Sequence, residues 1–137
     1  MNSKVSNAII AGVVGTALMT MVMFAAPMMG LPKMSAPDML AGMMGVPVIV
    51  GWLMHFMIGV IFALVYSYFF TASVRISNIY VKGALFGVAV FVFAQIVMAM
   101  ASAMSSTSTP EGSMALMMMG SLMGHVIYGV GVSKIVK

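Results

Sequence analysis

The chain predicts an all-α fold, an integral membrane four-helix bundle, on three observations. Of its 137 residues, 63% are hydrophobic and 6% charged, against about half and about a quarter in soluble domains. Four stretches, at about 5–26, 48–70, 81–103 and 114–136, are apolar for the roughly 20 residues that a helix needs to cross hydrocarbon. The segments between and around them hold all five prolines and both acids. A length of 137 residues fits one transmembrane domain.

The first span opens behind Lys4 and ends at Phe24-Ala25-Ala26-Pro27, which has the outline of a secretory signal. Its apolar run exceeds the 7–15 residues of a signal core, so it reads as a retained helix. After it comes Ser35-Ala36-Pro37-Asp38. Serine there caps free amides, proline suits the first turn and the acid answers from the third position. A short interfacial helix follows, ending near Gly45-Val46-Pro47, before the second span. The third span carries Gly83, Gly87 and Gln95. Ser108-Thr109-Pro110-Glu111 repeats the helix-start pattern ahead of the fourth span.

The chain has only two histidines, His55 and His125, and both stand in His-x-x-x-Gly-Val. With the two Ser-x-Pro-acid starts, this divides the chain into two helical-hairpin repeats, about 5–73 and 79–137. Each copy has two spans, so the copies enter from the same side, as parallel repeats about a pseudo-two-fold axis along the membrane normal. Gly51, His55, Gly59 and Ala63 are four apart, as are Ser121, His125, Gly129 and Ser133, so each series makes one stripe along its helix. Such stripes, with Gly83/Gly87 and Gly120/Gly124, let helices approach closely. They are the expected packing positions, within the bundle and toward other membrane subunits.

Lys4, Arg75, Lys82, Lys134 and Lys137 fall at the termini and the middle loop, and only Lys33 lies in the other two loops. Basic residues stay on the cytoplasmic side, which puts both termini in the cytoplasm. Tyr66, Tyr68 and Tyr80 flank the middle loop as interfacial rings. Six scattered cations make no basic patch, so no nucleic acid is expected as a partner.

After Met1, the methionines occupy only Met19–Met57 and Met98–Met123, the outward half of the predicted topology. As gap-filling they would suit an irregular region. As ligands, thioethers suit Cu(I) and not Zn, Mg or Ca. Met19/Met23, Met39/Met43, Met100/Met104, Met114/Met118 and Met119/Met123 each put two sulfurs on one helix face. This spacing is similar to the Met-x-x-x-Met element of eukaryotic copper uptake transporters, a likeness confined to that element.

An intramembrane histidine needs a partner. The plainest reading is an interhelical hydrogen bond, with Gln95, Thr16 or Thr20 as candidates and no cofactor at all. If a cofactor is bound, Cu(I) comes first, with Met19, Met23, Met100, Met104, Met119, Met123 and His125 as candidate ligands. Haem b comes second, with His55 and His125 as axial ligands and the glycines leaving room for the porphyrin. Enzymatic chemistry is not expected: the chain has no cysteine, and its only acids, Asp38 and Glu111, serve as helix starts. The expected function is that of a non-enzymatic accessory or assembly subunit of a larger redox or respiratory membrane complex. A small channel or transporter is the rival.

The blocks APMMGLPKM, GWLMHFMIGVIFALVY and GSLMGHVIYGV resemble a family of small four-helix prokaryotic membrane proteins of unknown function. That resemblance implies four helices in a prokaryotic inner membrane. It implies no activity and no functional residues.

Overall fold

A computed structural model describes residues 3–104 and 113–136. The second Ser-x-Pro-acid start lies outside the described residues. Helix α1, Ser3–Ala25, runs into a tight 3-10 turn at Ala26–Met29, which Gly30 closes with a left-handed backbone, φ 80°. Helix α2, Ala36–Met44, starts as expected, with the Ser35 hydroxyl accepting from the Asp38 amide at 3.4 Å. It ends at Gly45, φ 64°, where the Val46 amide reaches back to the Ala41 carbonyl at 3.0 Å. Only glycine adopts that conformation without a side-chain penalty, and Pro47 then prevents continuation.

Helix α3, Val48–Val65, widens into a single π turn at Tyr66–Phe70 and finishes as the short α4, Thr71–Ser73. Helix α5 covers Ile79–Met104 and α6 covers Met114–Ile135. The expected second span thus contains a helical irregularity that its hydrophobic length does not reveal. Four helices are long and apolar enough to cross a membrane. Large apolar side chains such as Ile10, Phe24, Ile49, Leu53 and Phe69 cover the outside, as a lipid-facing surface requires. The molecule is an all-α, multi-pass membrane bundle.

Close backbone approach sets its geometry. Helix α1 packs along both α3 and α6, and α5 packs along α6. Gly12 of α1 faces the Gly59 carbonyl and the Val60 backbone of α3, where a Cβ would lie 2.5 Å from Val60 Cα. Gly83 of α5 faces the Gly129 carbonyl and the Val130 backbone of α6, where a Cβ would lie 2.8 Å from Val130 Cα. One turn further on, Gly59 is filled by Thr16 Oγ1, while Gly87 rests on the His125 carbonyl. The two crossings thus use corresponding residues of α3 and α6.

The remaining sides differ. Between α1 and α6, Gly15 receives the Tyr128 ring and Val132. Between α3 and α5 the gap is filled by aromatic rings instead: Phe62 on Phe93 at 5.5 Å, and Phe86 on Tyr66 and Phe70 at 4.9 and 5.0 Å. Met19, Met23, Tyr66, Phe86, Val90, Tyr128 and Val132 form the core with Ala11 and Ala63.

Candidate functional site

The small-residue stripe of α3 decides where His55 goes. Gly51 lets α2 settle on α3, with the Pro37 carbonyl against it, and Gly59 lets α1 settle two turns further along. His55 stands between these two contacts and is therefore buried, 8% exposed. Its Nε2 lies 3.1 Å from Thr20 Oγ1, whose hydroxyl donates to the Thr16 carbonyl at 2.8 Å. A hydroxyl has one proton. Since Thr20 gives its proton to Thr16, it accepts from Nε2–H. In the neutral ring Nδ1 then keeps a lone pair, and among the described residues no donor meets it.

His125 is held the other way round. Its Nδ1 lies 2.7 Å from the Ser121 carbonyl, with Ser121 Oγ at 3.5 Å. A carbonyl only accepts, so Nδ1 carries the proton and the bare nitrogen is Nε2. The ring is half-buried and stands edge-on to Phe91 at 5.8 Å. Phe91 of α5 here occupies the place that Thr20 of α1 takes beside His55. Gln95 takes no part in either bond, and of the expected partners only Thr20 binds a histidine directly.

A narrow cleft beside His55 is lined by Thr20, Met23, Phe24 and Met34, with Ser35, Ala36 and Pro37 closing it from the α2 side. Its volume is about 10 Å³, room for one water or one ion and no more. Met23 and Met19 are 8% and 7% exposed and both lie against Gly124, with Met19 Cγ 3.3 Å and Met23 Cγ 3.6 Å from where a Cβ would be. Met23 therefore borders both the His55 cleft and the residue preceding His125. Met34 reaches the same region from the loop after α1, its Cε 3.4 Å from the Cβ position of Gly120.

The other expected thioethers are dispersed. Met100 and Met119 are 62% and 56% exposed, and Met123 is half-buried on α6. Met104 ends α5, and its side chain lies outside the described residues. Met34 was missed in the sequence reading because it sits in no Met-x-x-x-Met pair, only in a loop that folds back over the bundle. Tyr128 was missed as well: its buried hydroxyl donates to the Gly59 carbonyl at 2.6 Å, tying α6 to α3 across α1. Among the described residues no group of three His, Asp or Glu gathers to hold a metal.

Over residues 2–137 the chain matches the model of a family of unknown function, DUF6789, and it belongs to that family. No curated protein and no solved structure matches it.

Proposed function

We propose that this member of DUF6789 is a non-enzymatic accessory or assembly subunit of a larger redox membrane complex, and that it holds Cu(I) in the cleft beside His55. The observation that carries the reading is the donor set: His55, which keeps one ring nitrogen without a partner, lines a cleft of single-ion size together with Met23 and Met34. One imidazole and two thioethers make a soft site, suited to Cu(I) and poor for Zn, Mg or Ca. The second ring nitrogen of His55 is fixed by Thr20 and the Thr16 carbonyl. Metal-binding histidines are oriented by this kind of outer hydrogen bond. Gathering methionines at one end would concentrate the ion where it arrives.

Haem is the weaker reading. Bis-histidine ligation needs a flat gap beside the histidine stripes, and those glycines are already filled: Gly51 by Pro37, Gly59 by Thr16, and Gly129 by Gly83. A channel needs a continuous polar path, whereas the backbone contacts at Gly12, Gly83 and Gly87 bring the helices together along the bundle.

Elemental analysis and an absorption spectrum of protein purified from its own host test the copper reading. One copper per chain is expected, lost in Met34→Leu and Met23→Leu with helicity intact, and kept in Met29→Leu, a residue 70% exposed. Metal-free protein, or copper indifferent to Met34→Leu, overturns it. The accessory reading is tested separately by purification in gentle detergent. Co-migration with other membrane subunits is expected; migration alone or as a pure homo-oligomer overturns it.

A further inference from the structure

At the opposite end of the bundle, where α1 begins and α3 ends, lies a crevice of about 350 Å³ lined by Ser3, Lys4, Asn7, Ser67, Thr71 and Val136. Small-molecule sites have volumes of this order, about 300–1,000 Å³. Its floor is the π turn, in which the Thr71 amide reaches back to the Tyr66 carbonyl, five residues away instead of four. Isolated turns of this kind occur frequently at functional sites.

Ser67 sits in that turn, fully buried, and its hydroxyl has no hydrogen-bond partner. A helical hydroxyl ordinarily gives its proton to a nearby carbonyl, as Thr71 does to the Ser67 carbonyl at 2.8 Å. The Ser67 hydroxyl is thus an unpartnered donor just beneath the crevice wall. Lys4 lines the crevice, and Lys82 bonds to Thr71, another of its lining residues. Lys4 Nζ lies 4.5 Å from the centre of the Tyr68 ring, and Lys82 Nζ reaches the Thr71 carbonyl at 3.4 Å. Among the described residues the only acidic side chain is Asp38, in α2 at the far end, so no described side chain neutralises these cations.

We propose that this crevice binds a phosphate group, its oxygens accepting from the Ser67 hydroxyl, the Asn7 amide and the Lys4 ammonium. Basic pockets between transmembrane helices take anionic lipid headgroups in this way, and a free phosphate offers the same oxygens. The site stands apart from the His55 cleft and does not depend on copper.

Native mass spectrometry of the full chain in neutral detergent tests it, with phosphatidylglycerol and inorganic phosphate as the probes. One phosphatidylglycerol per chain is expected, with affinity falling about fivefold in Lys4→Gln. Ser67→Ala should also weaken binding while leaving thermal stability in lipid-free detergent unchanged or raised. Lys134→Gln, which removes the same charge outside the crevice, should bind as the natural chain does. Phosphatidylglycerol that resists millimolar phosphate identifies a lipid headgroup as the source. Displacement by phosphate, with Lys4→Gln weakening both probes, identifies a soluble phosphate. No binding of either probe, or equal weakening by Lys4→Gln and Lys134→Gln, overturns the proposal.

Discussion

At the scale of single residues, the histidines differ in what holds them. His55 is bonded to another helix through Thr20, and His125 to its own helix at Ser121. Thr20→Val keeps the shape but strands the buried Nε2–H of His55, at a cost of about 1–3 kcal/mol. The same change at Thr71, whose hydroxyl serves only the preceding turn, should cost less, and thermal unfolding in detergent compares the two. Equal losses would mean that the Thr20–His55 bond contributes little. Tyr128→Phe removes a donor from the Gly59 carbonyl while leaving the ring in the core. A loss of about 0.6 kcal/mol, the average for interhelical bonds in membranes, is expected in the same measurement.

At the scale of helices, the small residues are not equivalent, although they look alike as GxxxG spacings. A methyl group at Gly87 would collide with the His125 carbonyl and the Val126 backbone. One at Gly120 would meet only the ends of the Met34 and Leu31 side chains, at 3.4 and 3.7 Å. Gly87→Ala should therefore cost about 1–3 kcal/mol, as overpacking does, while Gly120→Ala should be near neutral. Similar melting temperatures for the two variants would show that α5 and α6 are not held by this crossing. Which glycines matter was not legible, because spacing names a face and only the neighbour's backbone says what the face touches. The four long helices and the capped start of α2 were legible, since hydrophobic length and the Ser35-to-Asp38 pattern are local properties. The π turn was not: Tyr66, Ser67 and Tyr68 bring hydroxyl groups into the run but are compatible with an ordinary helix, and the wider turn is registered only in the backbone bond from Thr71 to Tyr66. Met34 was hidden for the same reason, since it reaches the His55 cleft only through the fold of the loop after α1.

At the scale of the whole molecule, two chemistries are separated along the bundle. The histidine cleft and the methionines lie toward α2, while Lys4, Lys82 and Lys134 gather at the other end, beside Tyr68 and Tyr80. Retention of basic residues on the cytoplasmic side predicts which end faces which way: the crevice at Ser67 inward, the cleft at His55 outward. The reading of the methionines as a receiving surface depends on this orientation, because an ion delivered from outside has to meet the thioethers first. The chain has no cysteine, so single cysteines report sidedness without background. Lys33→Cys, in the exposed loop before α2, should react with a membrane-impermeant maleimide in intact cells. Ser77→Cys, in the loop between α4 and α5, should react only after the membrane is opened. Labelling of both from the same side would remove the four-span topology. The reverse pattern would keep the bundle but turn the methionines toward the cytoplasm, and copper would then have to be supplied from within, by a carrier and not by uptake.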